Sequence, residues 1–166
     1  MNAGQKSFLL TAFRGTSAEL LIKDVKGYDI LLLPNDKLRD SELLIEKISA
    51  SDYDYIIAFG QRPNIKDKVH IETAARDGDA CLNTGFDYAL LQQSFIKNGI
   101  PAKLSHNAGT SFCNRLYWNG LQYLAEHQEK KRTKMVFVHV PFEKSICDVA
   151  EFKERVIKTI ATFMLM

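Results

Sequence analysis

Short runs of consecutive apolar residues alternate along the chain with segments that have helical spacing. The apolar runs predict strands at residues 7–13, 28–34, 53–60, 67–75, 101–105 and 134–141. The other segments predict helices at residues 17–27, 40–51, 84–99, from about Cys113 to His127, and 148–166. Because the strands read as continuous apolar runs, both faces of the sheet should be buried. The pattern predicts an α/β fold, in which helices cover both faces of a mostly parallel central sheet.

The composition is that of an ordinary globular protein. The 166 residues include 46% hydrophobic and 25% charged residues, and the net charge is +2. This length fits a single domain, which we place at residues 1–166, with enough chain to bury a core. No basic run is longer than EKKRTK at residues 129–134. Binding to nucleic acid is therefore not expected, because a phosphate-binding face needs clustered cations.

The remaining bulk features predict a cytoplasmic protein with no membrane contact, no metal and no cofactor. The N-terminus lacks a signal-peptide pattern, and no apolar run approaches the ~20 residues that span a bilayer. Cys81, Cys113 and Cys147 are too few and too scattered for a disulfide framework, which favours a reducing compartment. The sequence contains no CxxC pair, no zinc-like His–Cys spacing and no glycine-rich phosphate loop.

The segment SHNAGTSFCN, residues 105–114, places Cys113 between a glycine turn and a predicted helix start. The N-terminus of a helix presents unpaired N–H groups and a partial positive charge. Both lower the pKa of a thiol and favour the nucleophilic thiolate. The same N–H groups could hold a developing oxyanion. The alternative is a buried, inert thiol, which is the commoner fate of a cysteine.

A nucleophilic thiol needs a partner for proton transfer, usually a histidine. His139 is the best candidate of the four histidines, because it interrupts the apolar strand MVFVHVP near its end. A hydrogen-bonded core histidine is the alternative. Glu72 lies in the mostly apolar run VHIETAA, where a carboxylate is costly to bury unless it is paired. Glu72 is therefore the candidate that orients His139. The role of His106, beside the cysteine, stays open.

These segments resemble the pyroglutamyl peptidase I family, also called the pyrrolidone-carboxylate peptidases. SHNAGTSFCN is similar to the family's active-cysteine signature, approximately S-x-x-A-G-x-x-x-C-N, with Cys113 in register. FVHVPF resembles the segment that carries the catalytic histidine, matched by His139. HIETAARD is more loosely similar to the segment with the catalytic glutamate, matched by Glu72. The resemblance covers about residues 7–142.

The resemblance implies an α/β/α sandwich and a metal-free thiol peptidase that removes N-terminal pyroglutamate from peptides. It implies that Cys113 is the nucleophile, that His139 is the general base and acid, and that Glu72 orients His139. It also implies a cytosolic homo-oligomer, a dimer or a tetramer, that acts on a peptide or small amide. Phe13 and Gln61 match segments on the substrate side of the family's fold.

The first loop departs from the family pattern. The family's T-G-F-x-P-F-G-G is replaced by TAFRGTSA, so Phe13 matches the first aromatic residue while Thr16 stands in place of the second. Losing one face of an apolar ring clamp costs on the order of 1–3 kcal/mol of binding. RDGDACLNTG, residues 76–85, replaces the family's R-I-P-D-N-x-G. Two alternatives therefore stay open: a non-catalytic binding member of the fold, and a hydrolase of a different small N-acyl amide.

Overall fold

The computed structural model describes residues 4–109 and 111–165. The strands are β1 (Phe8–Phe13), β2 (Asp29–Leu33), β3 (Tyr55–Arg62), β4 (Val69–Glu72), β5 (Ala74–Asp77), β6 (Ala80–Asn83), β7 (Ala102–Ser105) and β8 (Lys134–Pro141). The α-helices are α1 (Ser17–Ile22), α2 (Lys37–Ala50), α3 (Tyr88–Lys97), α4 (Phe112–Glu126) and α5 (Val149–Met164). None of these helices combines the length and the apolarity that crossing a bilayer requires.

Six strands form the central sheet in the order β2-β1-β3-β8-β4-β7. All neighbouring strands pair in parallel except β4 and β8, which are antiparallel. The mostly parallel sheet predicted from the sequence is thus confirmed. The antiparallel pair matters for the site, because it brings the end of β4 against the middle of β8 rather than against its end.

Helices cover both faces of this sheet, as the continuous apolar strands predict. One face packs against α1, α3 and α5, and the other against α2 and α4. Side chains along β8 alternate between the two cores, with Val136 and Val138 on the first face and Met135 and Phe137 on the second. By this period of two, His139 points to the same face as Phe137, the face that α4 covers.

The predicted strand at residues 67–75 is wrong in its extent. The chain leaves the central sheet at Thr73, whose N–H donates to the Ser105 carbonyl, and then forms β5 and β6. These two strands are an antiparallel hairpin that contacts α4. The two-residue hairpin turn is Gly78–Asp79, between the paired residues Asp77 and Ala80, and Gly78 has φ of +58°. A glycine at the first of two turn residues is a hairpin signal that was available in the sequence.

Several further boundaries differ from the prediction, including the starts of α2 and α3. The first helix ends at Ile22, five residues earlier than predicted, and β3 continues through Arg62, beyond the predicted end at residue 60. The predicted final helix extends to residue 166, which lies outside the described residues, as do the first three residues of the predicted domain. The single domain stays a prediction.

Candidate active site

Glu72 and His139 form a buried pair in the middle of the central sheet. In the antiparallel β4–β8 pairing, His70 lies opposite His139 and Glu72 lies opposite Phe137, so all four side chains share one face. Glu72 reaches diagonally to His139, and its Oε1 lies 2.9 Å from His139 Nδ1. Glu72 is 0% exposed and His139 is 3% exposed. This contact fixes the orientation of the imidazole and leaves Nε2 as the nitrogen that can exchange a proton with another group.

Two neighbouring side chains hold Glu72. Arg62 Nη1 lies 3.1 Å from Glu72 Oε1, the same oxygen that contacts His139. Tyr117, buried on α4, donates its hydroxyl to the Glu72 backbone carbonyl at 2.8 Å. Glu72 Oε2 is buried and has no hydrogen-bond partner among the residues that the structure describes. Among the described residues, the side chains that hydrogen-bond to this buried carboxylate are therefore Arg62 and His139.

Cys113 lies on the same face, against Gly60 of β3. A Cβ added to Gly60 would come within 2.7 Å of Cys113 Sγ and within 2.8 Å of Phe137 Cζ. In the parallel β3–β8 pairing, Gly60 is the partner of His139. Because partners on adjacent strands lie about 4.8 Å apart, the thiol is held beside the His139 position. The sulfur can occupy this position because Gly60 has no side chain.

The thiol is not the ready thiolate that a helix start predicts. Burial raises the pKa of the Cys113 thiol to about 12, and the Glu72 carboxylate also raises it. Its own backbone N–H and the Arg62 guanidinium act in the opposite direction but do not outweigh burial. The expectation of a lowered thiol pKa is therefore wrong for the resting chain, because desolvation of the thiol outweighs the hydrogen bond from its own N–H and the charge of Arg62. An activated Cys113 needs a base beside it.

The first backbone N–H groups of α4 remain available to donate hydrogen bonds. Ser111, which precedes the helix, makes no side-chain hydrogen bond to its first turn. By contrast, Asp36 at the start of α2 accepts hydrogen bonds from the N–H groups of Leu38 and Arg39. Because a helix start leaves its first N–H groups without intrahelical partners, α4 can offer them to a ligand oxygen near Cys113.

The loop before α4 is held by contacts to β4 and to the β5–β6 hairpin. His106 Nδ1 lies 2.6 Å from Thr73 Oγ1, so His106 is bonded at the end of β4. Asn107 Oδ1 accepts from the N–H of Gly109, which has φ of +90°. Asn114, directly after Cys113, both accepts from the Arg76 N–H at 2.9 Å and donates to the Arg76 carbonyl at 2.7 Å. These contacts fix both sides of the cysteine.

The two predicted substrate contacts lie in different environments. Phe13, at the end of β1, is buried in the same apolar cluster that Cys113 packs against. Gln61 Oε1 instead accepts from the N–H of Ser17, at the start of α1 on the other face of the sheet. Thr16, where the family has an aromatic residue, is the N-cap of α1 and donates to the Phe13 carbonyl at 2.7 Å. The side chains of Gln61 and Thr16 are thus committed to the first helix.

Sequence reasoning missed three residues of this site. Arg62 lies beyond the predicted strand at residues 53–60, yet it ends β3 and reaches the catalytic candidate Glu72. A cation directly after a buried strand was the available signal. Gly60 is the last residue of that predicted strand, and Tyr117 lies within a predicted helix. Nothing local reveals their roles, because both arise from contacts between distant elements.

The remaining histidines and cysteines make no hydrogen bond to Cys113, Glu72 or His139 within the described residues, although His70 lies on the same face of the sheet. Both ring nitrogens of His70 are buried and have no hydrogen-bond partner in the described part of the chain. His127 Nδ1 lies 2.8 Å from the Tyr123 carbonyl, near the end of α4. Cys81 and Cys147 are exposed. Within residues 4–109 and 111–165, no three His, Cys, Asp or Glu side chains form a group that could hold a metal ion.

Comparisons with known proteins agree with this architecture. The family model for pyroglutamyl peptidase matches residues 63–154. The pyrrolidone-carboxylate peptidase of Fusobacterium nucleatum is 31% identical over 130 residues, which cover 76% of this chain and 57% of that protein. The pyrrolidone-carboxylate peptidase of Thermosipho melanesiensis is 30% identical over 139 residues, which cover 82% of this chain and 65% of that protein. The matches thus span less than two thirds of these relatives.

The fold is also that of a solved structure. The crystal structure of pyroglutamyl peptidase I from Bacillus amyloliquefaciens superposes with a TM-score of 0.82 at 20% identity, covering 98% of this chain and 96% of that one. The fold is an α/β sandwich in which Cys113 lies at a loop-to-helix junction. The chain belongs to the pyroglutamyl peptidase family of cysteine peptidases.

Proposed function

We propose that this chain is a cysteine peptidase that removes N-terminal pyroglutamate from peptides. The observation that carries the proposal is the convergence of Cys113, His139 and Glu72 from three elements onto one face of the sheet. Family membership supports the class of reaction. The contacts of Glu72 with His139, and of Cys113 with Gly60, support the roles of the residues.

The first step is the attack of Cys113 Sγ on the pyroglutamyl carbonyl carbon. Because burial keeps the thiol protonated, the proton passes to His139 Nε2 as the S–C bond forms. The resulting imidazolium keeps its Nδ1–H bonded to Glu72 Oε1, and the carboxylate stabilises that charge. The high pKa of the resting thiol thus supports general-base catalysis rather than a preformed ion pair.

The second half of the reaction returns the proton. The oxyanion of the tetrahedral intermediate accepts hydrogen bonds from N–H groups at the start of α4, including that of Cys113. When the intermediate collapses, the C–N bond breaks and His139 donates its proton to the leaving amine. Water then attacks the thioester with His139 as base, which releases pyroglutamate and restores the thiol.

Phe13 and Gln61 remain our proposed substrate contacts. Phe13 belongs to the apolar cluster that Cys113 packs against, and an apolar ring beside the thiol suits a lactam. The Gln61 side chain contacts α1, so a substrate contact at this position would use its backbone at the end of β3.

A second candidate is the hydrolysis of a different small N-acyl amide. The observation that favours it is Thr16, which caps α1 where an aromatic residue would cover the second face of the ring. A substrate pocket without that aromatic residue would bind pyroglutamate less tightly and would accept other acyl groups.

Hydrolysis of a fluorogenic pyroglutamyl amide separates these possibilities. Wild type should release the fluorophore, and Cys113→Ser, which keeps the shape of the site, should lose at least about 10³-fold in kcat/KM. A matched exposed cysteine variant, Cys81→Ser, should retain wild-type activity. If folded wild type cleaves N-acetyl or other N-acyl amides but not the pyroglutamyl amide, the substrate is wrong and the second candidate stands.

A further inference from the structure

The guanidinium group of Arg62 connects two separate parts of the candidate site. Its Nη1 lies 3.1 Å from Glu72 Oε1 and also donates to the Asn107 carbonyl at 3.1 Å. Glu72 Oε1 in turn contacts His139 Nδ1 at 2.9 Å. Asn107 lies in the loop that leads to Cys113. One side chain therefore touches both the carboxylate that orients the histidine and the loop that carries the thiol.

The burial of these groups gives Arg62 an electrostatic role. The Glu72 side chain is 0% exposed, while that of Arg62 is 30% exposed. A buried carboxylate is unfavourable in its ionised form unless a cation or hydrogen-bond donors compensate it. Glu72 Oε2 has no partner among the described residues, so Arg62 and His139 share the task on one oxygen. Without Arg62, only the histidine would compensate the charge.

Arg62 also opposes Glu72 at the sulfur. The Glu72 carboxylate raises the pKa of the Cys113 thiol, and the Arg62 guanidinium lowers it. The two substitutions that remove these charges should therefore change thiol reactivity in opposite directions. A purely structural role for Arg62 would not produce this opposition, since a loosened loop exposes the thiol and makes it react faster.

We propose that Arg62 is a positioning residue of the active site, which holds the Glu72 carboxylate in place as the acceptor for His139 and anchors the loop before Cys113. This inference rests on the roles proposed above for Cys113, His139 and Glu72, but not on the identity of the substrate. Arg62 acts through Glu72 and the loop rather than on the reacting atoms.

The test compares four variants with wild type. Arg62→Met removes the charge, and Arg62→Lys keeps it. Glu72→Gln removes the opposing charge. Arg155→Met is the matched control, because Arg155 also donates to a backbone carbonyl, that of Gly99, and contacts a carboxylate, that of Glu151, but lies on the face of the sheet opposite Cys113. For each protein, iodoacetamide labelling of Cys113 is followed by peptide mass spectrometry between pH 7 and 9, and hydrolysis of the pyroglutamyl amide is measured alongside.

The labelling rate of Cys113 should decrease in one variant and increase in another. Arg62→Met should label Cys113 about 3–10-fold more slowly than wild type at a given pH, since one pKa unit is tenfold in thiolate. Glu72→Gln should label it faster. Arg62→Lys and Arg155→Met should stay within about twofold of wild type. In the hydrolysis assay, Arg62→Met should lose about 10–100-fold in kcat with little change in KM. The substitution should alter the position of Glu72 and His139, but not the binding of the substrate.

Three results would overturn the inference. Faster labelling of Cys113 in Arg62→Met than in wild type would show that the substitution only loosens the loop. Equal labelling of the two proteins would refute the electrostatic effect of Arg62 on the thiol. An unchanged kcat in Arg62→Met would refute its role in positioning Glu72. Wild type that fails to cleave the pyroglutamyl amide, while the labelling pattern holds, overturns the proposed substrate but supports the role of Arg62.

Discussion

Cys113 Sγ lies so close to Gly60 that a Cβ on the glycine would be only 2.7 Å away. Gly60 is the β3 partner of His139, so the sulfur lies against the residue that pairs with the proposed base. The geometry of the site thus depends on a missing side chain on one strand and a histidine on the next. This relationship makes Gly60 as important to the account as the charged residues.

Gly60→Ala should displace the thiol. The added methyl group would overlap both Cys113 Sγ and the Phe137 ring, and overpacking of this kind costs about 1–3 kcal/mol of stability. A shift of the nucleophile by about 1 Å should reduce kcat about 10²-fold. Urea unfolding and amide hydrolysis measure the two effects. Gly85→Ala is the control, because its Cβ would meet the flexible Lys134 side chain at 3.4 Å. Gly60→Ala with wild-type kcat would refute the placement of Cys113.

Tyr117→Phe tests the support of Glu72 from α4. The substitution keeps the buried ring but removes the hydroxyl that donates to the Glu72 carbonyl at 2.8 Å. Loss of this bond should cost about 1–2 kcal/mol of stability and lower kcat several-fold. Tyr53→Phe removes a hydroxyl that donates to the Asp29 carboxylate, far from Cys113, and should leave kcat unchanged. Equal kcat in both variants would show that Tyr117 only stabilises the fold.

Thiol reactivity should be low in the resting chain. Burial and Glu72 raise the pKa of Cys113 to about 12, so little thiolate is present at neutral pH. Iodoacetamide should therefore label Cys113 at least about tenfold more slowly than the exposed Cys81 between pH 6 and 8. Peptide mass spectrometry compares both sites in one sample. Faster labelling of Cys113 than of Cys81 at pH 6 would mean a preformed thiolate and would contradict general-base activation.

The same raised pKa predicts a loss of stability at high pH. The pKa of the thiol is 9.0 in an ordinary, solvated cysteine and about 12 in the folded chain, so the unfolded chain releases the proton first as pH rises. Its contribution is fully present below about pH 9 and is lost as pH rises towards 12. The free energy of unfolding should therefore fall more steeply between pH 9 and 11 in wild type than in Cys113→Ala. Parallel curves from denaturant unfolding would show that the folded thiol titrates normally.

The sequence predicted the layered fold because its signals are local. Apolar runs and helical spacing mark the elements directly, and the six central strands fall within or close to the predicted runs. The division of residues 67–75 between two sheets was missed, because it follows from Thr73 bonding to Ser105, which is far along the chain. Strand direction was equally hidden, since the antiparallel β4–β8 pair arises from the path of the whole chain.

The site was predictable only in part. The sequence singled out Cys113 because a thiol at a helix start is unusual. It singled out His139 and Glu72 because polar groups within apolar strands are also unusual. The raised pKa of Cys113 could not be inferred, because it depends on how deeply α4 packs against β3 and β8. Arg62 was missed for a similar reason: its partner Glu72 is ten residues away and on another strand.

The most direct test of the central claim is the covalent intermediate. The account predicts that wild type, mixed with an activated pyroglutamyl ester and quenched in acid within its first turnovers, carries one pyroglutamyl group on the peptide that contains Cys113. His139→Ala should form this adduct much more slowly, and Cys113→Ala should form none. An adduct on Cys81 or Cys147 alone, or turnover by Cys113→Ala at the wild-type rate, would contradict the account.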